Sequence, residues 1–514
     1  MRSRTLSTLL LVAAALCPAC TPNKAYTPPL VTPGAVVPAT PAAPAAVELE
    51  LLGELANRTV LAQQPGEVLA RIRIHSPESE DAPRPRANIG LVVDTSASMR
   101  GDAIAQARVA ALTLLHDLRD GDVMSVVVFG SGPQVLVPAT VLDAQTRPTI
   151  RAAIDTMEAT GTTDLAGGLS TSLGQVQGQA RSGEINRIVL VSDGVPNDET
   201  PVDSIAQQAR SAGVSITTLG LGLDYHETLL GRIAQTSGGT FHFVEDPAEV
   251  AAVFSEEVLR IDRLSAQGVA LELAPGPGVT IVDVPGQTLS RSGRTVVVGL
   301  PDLAEGDTQQ VIVKLTVGEH HDGATVELLD GRLRYADART GQARQQGMFL
   351  SAQATADPQA RAAGLDLEVA VAAARATTAA ATLQIVSLAR MGEVEEAESQ
   401  LDQTLTHARS LSEDMPDPQL AALIDGLVEL RPTLPGLAPP PPPPSPSQSA
   451  STTKTKRKAP RRAGDRPEVP RFDAEPFPGD AGSTGVAQPT AMGSGEARGV
   501  RANHERAYNI LHGG

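Results

Sequence analysis

The feature that most restricts the fold of this chain is a regular alternation of strand and helix patterns between Asn88 and about Arg263. The run Ile89–Val93 is apolar apart from one glycine, as expected for a strand buried on both faces. Residues 102–118 then carry apolar side chains at helical spacing. Further strand patterns occur at 124–129, 188–191, 215–221 and 240–244, with helical patterns at 165–176, 205–212, 229–234 and 247–261. Such alternation predicts an α/β fold with a doubly wound, mostly parallel sheet.

A second pattern, of short strands separated by Gly, Pro and Asp, follows at residues 263–352. Apolar and polar residues alternate along 311–317, which is typical of a strand with one buried face. The segment favours an accompanying antiparallel β-sandwich. The segment 47–87 also contains strand patterns, between residues 47 and 74. We expect these strands to join the sandwich, so that the α/β domain at 88–262 is an insertion between sandwich strands.

Residues 353–432 carry helical patterns and predict a C-terminal helical segment. Gly392 follows a long Ala-rich helix and suits its C-terminal cap. The following helix loosely resembles one unit of a tetratricopeptide pair, but a single unit is not a repeat array, and a plain helical hairpin is favoured.

Residues 433–500 are rich in Pro, Ser, Gly and Arg and predict a disordered linker. Six cations lie within the nine residues 454–462. Such a cluster is either a solvated linker or a contact for an anionic polymer or membrane. The tail 501–514 predicts a short helix to which the sequence assigns no function.

The first nineteen residues have the organisation of an export signal. Two arginines precede an apolar run at 6–16, which is too short for a membrane-spanning helix of about 20 residues. The segment ends in Leu16-Cys17-Pro18-Ala19-Cys20. It resembles a bacterial lipoprotein signal, which implies lipidation of Cys20, although Leu16 stands four positions before that cysteine rather than three. Lipidation at Cys17 and plain secretion after Ala19 stay open as alternatives.

The Pro- and Ala-rich residues 20–46 then predict a tether that holds the folded part away from a membrane. The mature chain is therefore expected outside the cytoplasm, in the bacterial cell envelope. It would be a lipoprotein on the periplasmic side or on the cell surface, joined to the membrane through its lipid.

Composition excludes several functional classes. The net charge of −17 and the low aromatic content, with no Trp, argue against nucleic-acid binding, which needs a basic surface and stacking rings. No cysteine occurs after Cys20, which excludes a disulfide framework, a Cys-based zinc site and a catalytic thiol in the folded part. Neither a G-x-S-x-G nor a GxxxxGK motif is present. The sequence therefore favours a binding protein over an enzyme.

Polar residues concentrate in three loops of the α/β domain, which we place at the carboxyl ends of predicted strands. The first loop contains Asp94, Ser96 and Ser98, the second Thr163, and the third Asp193. In a tight loop both serines can face the same side as Asp94. Open α/β sheets bind their ligands at this edge. Two carboxylates and three hydroxyls form an all-oxygen donor set, which suits Mg²⁺ or Mn²⁺.

These loops resemble the metal-ion-dependent adhesion site of the von Willebrand factor A (VWA) domain. Asp94, Ser96 and Ser98 match its DxSxS motif, Thr163 its threonine loop, and Asp193 its Ser-Asp-Gly loop. The likeness covers residues 88–262 and implies a Rossmann-like VWA fold. It also implies Mg²⁺- or Mn²⁺-dependent binding of a protein ligand that donates an acidic residue to the metal.

Three other interpretations stay open. Asp94 could instead cap the helix at 102–118, and Asp193 could be a turn residue. The protein could be a structural envelope scaffold that uses its sandwich, helices and basic linker for contacts, with a metal site that is non-functional or that only holds the loops. A metal-dependent hydrolase is the third, although no general base or phosphate clamp stands out in the sequence.

Overall fold

The structure is a computed structural model that describes residues 47–78, 84–181, 183–194, 196, 198–222, 227–438 and 494–512. The expected signal peptide, the lipidation at Cys20, the tether and the cationic cluster at 454–462 lie outside these residues.

Three strands precede the α/β domain: β1 (Glu50–Leu55), β2 (Thr59–Leu61) and β3 (Gly66–His75). β1 and β3 pair antiparallel, with Glu50 opposite His75 and Leu55 opposite Ala70. Every second residue of β3 from Val68 to Ile74 is buried, as expected where one face of a strand covers a core.

The α/β domain has a six-stranded sheet with helices on both faces. Its elements are β4 (Ala87–Asp94), α1 (Asp102–Asp117), β5 (Val123–Phe129), β6 (Pro133–Val141), α2 (Thr146–Asp155), α3 (Leu165–Gln177), β7 (Ile185–Ser192), α4 (Val202–Ser211), β8 (Val214–Leu221), α5 (Glu227–Ser237), β9 (Phe241–Val244) and α6 (Val250–Asp262). The strand order is β6-β5-β4-β7-β8-β9, and only the β5–β6 pair is antiparallel. All eight residues of β4 are buried, because two separate hydrophobic clusters cover the two faces of the sheet. The predicted doubly wound, mostly parallel sheet is confirmed.

The edge strand β6 and the helix α2 that follows it were not predicted. β6 contains Pro133 and Pro138, and Val137 is its one buried residue. An edge strand tolerates proline and exposes most of its side chains, so it lacks the apolar run by which the interior strands were recognised.

Eight strands follow the α/β domain: β10 (Leu264–Pro275), β11 (Val279–Asp283), β12 (Leu289–Ser292), β13 (Thr295–Gly299), β14 (Leu303–Ala304), β15 (Thr308–Val317), β16 (Thr325–Asp337) and β17 (Ala343–Thr355). Together with β1–β3 they form two sheets, of order β1-β3-β15-β11 and β12-β13-β10-β16-β17-β2, with β14 beside β10. One shared cluster of apolar side chains fills the space between these sheets. The strands of residues 47–74 thus lie in both sheets, and the α/β domain is inserted between β3 and β10. The β2–β17 pair is parallel, unlike the antiparallel pairs that form the rest of the sandwich.

The C-terminal helical segment contains α7 (Pro358–Ala363), α8 (Leu367–Arg390), α9 (Val394–Asp414), α10 (Pro418–Leu430), α11 (Leu434–Leu437) and α12 (Ser494–His512). The side chains of Asp357, Asp366 and Asp417 accept hydrogen bonds from the first turns of α7, α8 and α10, which fixes where these helices begin. Gly392 has a φ of 86° after α8, the left-handed conformation that ends many helices.

Two predicted boundaries differ from the structure. β17 continues to Thr355, so residues 353–355 belong to the sandwich. The predicted linker at 433–500 is too long, because α11 extends to Leu437 and α12 begins at Ser494. The physical reason is burial: Leu434, Leu437 and Val500 lie in one apolar cluster.

The last helix, α12, is a packed element rather than a free tail. Asn503 donates from Nδ2 to the carbonyl oxygen of Gly426 in α10, at 2.9 Å. Gln309 of β15 donates from Nε2 to the carbonyl oxygen of His512, at 3.1 Å. The helix therefore joins the helical segment to the sandwich.

One helix in the described part of the chain, α8, is long and apolar enough to cross a membrane. More than half of its apolar stretch is buried against the rest of the protein.

Candidate functional site

The first and third polar loops leave neighbouring strands at the same edge of the α/β sheet. Asp94 is the last residue of β4, and Ser192 is the last residue of β7. These strands are parallel and paired, with Val93 opposite Val191. The chain passes to β5 on one side of β4 and later to β7 on the other, so this is a switch point of the sheet, where ligand sites form.

The second loop reaches the same edge by a different route from the predicted one. It does not follow a strand, because α2 precedes it and α3 begins at Leu165. Backbone bonds hold it in place: the amide of Asp164 donates to the carbonyl oxygen of Gly130, just beyond β5, at 2.8 Å. The amide of Ala97 donates to the carbonyl oxygen of Gly161 at 3.1 Å, which fastens the second loop to the first.

Asp94 is a fully buried carboxylate at the base of the site. Its Oδ1 accepts from the backbone amide of Ser96 at 2.8 Å, and its Oδ2 accepts from the hydroxyl of Ser192 at 2.7 Å. Burial raises the pKa of Asp94, and these hydrogen bonds only partly oppose it. No cationic side chain within the described ranges forms an ion pair with it. When ionised, Asp94 is therefore a buried negative charge in need of a counter-charge. It does not cap α1, whose N-cap is Gly101.

The two serines connect the carboxylates of the first and third loops. The hydroxyls of Ser96 and Ser98 lie 2.9 Å apart, and the hydroxyl of Ser98 donates to Oδ1 of Asp193 at 2.8 Å. A short 3-10 turn at Ala97–Met99 brings both serines to one side. Thr95 faces the other way, since its hydroxyl donates to the carbonyl oxygen of Phe129 at 3.0 Å.

Thr163 completes the group. A methyl carbon placed on the Cα of Gly194 would lie 3.4 Å from Oγ1 of Thr163, 3.6 Å from Oγ of Ser98 and 3.7 Å from Oδ2 of Asp94. The three oxygens thus surround one small space that the missing side chain of Gly194 leaves open. The structure brings all five predicted residues together: Asp94, Ser96, Ser98, Thr163 and Asp193.

The donor set fits a hard divalent cation such as Mg²⁺ or Mn²⁺, which prefers oxygen ligands. The site offers two carboxylates and three hydroxyls around a buried negative charge. Within the residues described, no group of three or more His, Cys, Asp or Glu side chains could hold a metal ion. A cation here would depend on hydroxyls and water as well as on carboxylates.

Ser192 and Gly194 are two site residues that the sequence reasoning did not select. Ser192 donates to Asp94, and Gly194 leaves the space between the oxygens. The sequence feature that could have identified them is their position on either side of Asp193, in the tripeptide at the end of a buried strand.

Comparison with known proteins agrees with the fold. The sequence profile of the von Willebrand factor type A domain family matches residues 88–256. This chain contains a VWA domain. A solved structure, "von Willebrand factor type A from Catenulispora acidiphila", superposes on it with a TM-score of 0.60 at 19% identity. That likeness covers 75% of this chain and 90% of the other, so the shared fold extends beyond the VWA domain.

Several curated relatives share part of the sequence. Uncharacterized protein YfbK of Escherichia coli is 27% identical over 215 residues, which are 41% of this chain and 37% of that protein. Uncharacterized protein sll0103 of Synechocystis is 25% identical over 285 residues, 53% of this chain and 67% of that protein. Human inter-alpha-trypsin inhibitor heavy chain H4 is 29% identical over 175 residues, 32% of this chain and 19% of that protein. The match to YfbK thus spans little more than a third of that relative's length. VWA domains in general mediate protein–protein interactions.

Proposed function

We propose that this protein binds another protein through a divalent cation held at the carboxyl edge of its VWA sheet. The observation that carries the proposal is the buried Asp94 carboxylate, which has no cationic partner among the described side chains. It lies beside a space lined by the oxygens of Ser98 and Thr163. The role that we propose is binding, because the site offers oxygen ligands for a cation.

Each residue has a distinct part in this proposal. Asp94, Ser96, Ser98 and Thr163 would serve the cation or its water ligands. Asp193 would act through water, since its Oδ1 already accepts from Ser98. A bound Mg²⁺ or Mn²⁺ supplies Lewis acidity and neutralises the buried charge. Ser98 is exposed, so the cation would face solvent on that side and could take a carboxylate from the partner.

The test is calorimetric titration of Mg²⁺ and Mn²⁺ into chelator-treated protein, with an Asp94→Ala variant and a Glu158→Ala control. Glu158 is an exposed carboxylate of the same domain. We expect about one ion per chain in the parent and the control, and none in Asp94→Ala, with the fold retained. Ion binding that persists in Asp94→Ala would contradict the assignment.

A second experiment separates adhesion from a purely structural metal. Envelope extracts are passed over the immobilised protein with Mg²⁺ or with chelator, beside the Asp94→Ala variant. Capture of a partner that chelator and Asp94→Ala both abolish supports metal-dependent binding. Capture that neither changes would instead favour a scaffold whose sandwich and helices make the contacts. Unfolding of Asp94→Ala would favour a metal that only holds the loops.

The location of the protein is a separate part of the proposal. We infer an exported, lipid-anchored envelope protein from the apolar run at 6–16 and from Cys20. Metabolic labelling with a fatty acid tests it in Cys20→Ser and Cys17→Ser variants. We expect the label to be lost in the first variant alone. Loss in the second alone would place the lipid on Cys17, and an unlabelled parent chain would support plain secretion.

A further inference from the structure

A cleft of about 510 Å³ lies where four parts of the chain meet, outside the loops of the proposed metal site. Its walls come from α5 of the VWA domain, the turn between β11 and β12 of the sandwich, α8 of the helical segment, and α12. Ligand sites commonly form between domains, and their volumes range from about 300 to about 1,000 Å³. The cleft therefore has the location and size of a small-molecule site.

The walls of this cleft combine apolar surface with neutral polar side chains and offer little unpaired charge. The amide and hydroxyl side chains among them include Thr228, Gln235, Gln287, Thr377, Gln384 and Tyr508. Arg232 carries the one guanidinium among the described lining residues, and its Nε donates to Asp203 at 2.8 Å. The imidazole of His512 is buried, and burial lowers its pKa to about 4, so it is neutral at physiological pH. Asp283 is exposed to solvent at the rim.

Three buried polar atoms of the lining residues have no hydrogen-bond partner within the described ranges. They are the Oγ1 of Thr228, the Oε1 of Gln287 and the hydroxyl of Tyr508. Tyr508 is only 4% exposed, and its ring packs against Phe241 and His512 at centroid distances of 5.4 and 4.6 Å. Gln287 is held through its other amide atom, because Nε2 donates to the carbonyl oxygen of Leu511 at 3.3 Å.

Their common location points to a ligand. A buried polar group without a partner is costly, and nearly all such groups in folded proteins are satisfied. Here three of them belong to α5, to the sandwich turn and to α12, and all three residues line the same cleft. Because the three atoms are buried, these side chains would turn towards a single small molecule between the walls and form the missing hydrogen bonds with it.

We propose that this cleft binds a small uncharged molecule that carries both hydroxyl and amide groups, such as an N-acetylated sugar. The neutral amides and hydroxyls of the walls match such groups as donors and acceptors. An anion would meet the guanidinium of Arg232 on the described walls, but the charge of that group is already balanced by Asp203 at 2.8 Å. A nucleobase would find little aromatic surface for stacking.

The experiment is saturation-transfer NMR and calorimetry on the full chain with N-acetylglucosamine, its β-1,4-linked dimer, glucose and glucuronate. Chelator is present throughout, which keeps the result independent of the proposed metal site. We expect saturable binding of the N-acetylated sugars, weaker binding of glucose and none of glucuronate. No saturable binding of any N-acetylated probe, or preferential binding of glucuronate, overturns the proposal.

Two tyrosine variants locate the binding. Tyr508→Phe removes only the hydroxyl in question and should weaken binding at least tenfold. Tyr335→Phe is the control, because that hydroxyl is already satisfied in the sandwich by the amide of Leu49 and the carbonyl oxygen of Val47. Without sugar, Tyr335→Phe should lower the melting temperature and Tyr508→Phe should not. Equal sugar affinity in the parent chain and in Tyr508→Phe would refute the assignment of sugar binding to this cleft.

Discussion

The substitution Asp94→Asn should have opposite effects on stability with and without metal. Asparagine keeps the shape of the side chain and both hydrogen bonds, since Oδ1 can accept from the amide of Ser96 and Nδ2 can donate to the hydroxyl of Ser192. It removes the charge. The buried charge lacks a cationic partner among the described residues, so its loss should stabilise the metal-free fold while abolishing the response to Mg²⁺.

The size of the effect follows from the contacts of Asp94. A buried, unpaired ion costs about 3–5 kcal/mol. The two hydrogen bonds become neutral, and each then contributes about 1 kcal/mol less than its charge-assisted equivalent. The metal-free variant should therefore be about 1–3 kcal/mol more stable than the parent chain. Mg²⁺ at a thousand times its Kd reverses the order, because it stabilises the parent by about 4.1 kcal/mol and leaves the variant unchanged.

The pH dependence has a defined sign. The folded-state pKa of Asp94 is raised, so the folded chain holds this proton more tightly than the unfolded chain. Without metal, the stability of the parent should fall as pH rises from about 3.8 through the folded-state pKa. Asp94→Asn should lack this fall, because it has no proton to lose.

Urea unfolding followed by circular dichroism, in chelator and in Mg²⁺, measures these differences, with Glu158→Gln as the matched control. The control should follow the parent chain in both buffers. The reasoning is refuted if Asp94→Asn is less stable than the parent by more than about 1 kcal/mol in chelator, which would exceed the usual error of additivity arguments. It is also refuted if Mg²⁺ stabilises the variant as much as the parent.

Three further outcomes are expected. Glu257→Ala should lower the free energy of unfolding by about 3 kcal/mol in urea titrations, the lower end of the range for breaking a buried pair, because Arg187 loses its 3.1 Å partner but keeps Asp302 at 3.5 Å. A loss below about 1 kcal/mol would contradict this. Burial lowers the pKa of His242, but its 2.8 Å hydrogen bond to Glu257 and the charge of that carboxylate raise the pKa overall. The stability that this pair contributes should therefore be complete below about pH 6.5 and decline as the pH rises through the folded-state pKa. The variant His242→Gln should not show this decline. The free energy of unfolding of Gly194→Ala should lie within about 0.5 kcal/mol of that of the parent chain. The variant should bind Mn²⁺ at least tenfold more weakly by calorimetry, because its methyl group would touch three site oxygens. Unchanged binding would mean that the ion lies elsewhere.

The order of strands and helices in the VWA domain was predictable because its interior strands are covered on both faces. A strand such as β4 must then be apolar along its length, and that pattern is visible in the sequence. The edge strand β6 has one buried residue and two prolines, so no periodic pattern marks it. Its pairing with β5 depends on a non-local contact that the sequence does not show.

The candidate site was predictable to different degrees. The spacing of Asp94, Ser96 and Ser98 alone suggests a shared face, since they occupy one tight loop. The position of Thr163 was available only from the family resemblance, because backbone bonds from Asp164 to Gly130 and from Ala97 to Gly161 bring it there. These bonds join residues more than thirty positions apart.

The docking of α12 was not predictable, although part of its signal was present. Val500, Ala507, Tyr508 and Leu511 recur at helical spacing and are buried. The groove that receives them is built from α5, β15, α8 and α10, which are far apart in the chain. A helix pattern does not reveal a binding surface assembled from distant segments, so the sequence alone assigns the tail no role.

The insertion of the VWA domain between β3 and β10 determines how the molecule would carry mechanical load. β3 lies between β1 and β15, and β10 lies between β13 and β16, so each connection enters an interior strand of a different sheet. Tension applied to the domain is therefore divided between the two sheets. Neither strand can be peeled away as an edge strand could, because each must be sheared from hydrogen-bonded neighbours on both sides. The sandwich thus holds the VWA domain through two interior strands, and these are the strands on which a pull on the domain would act.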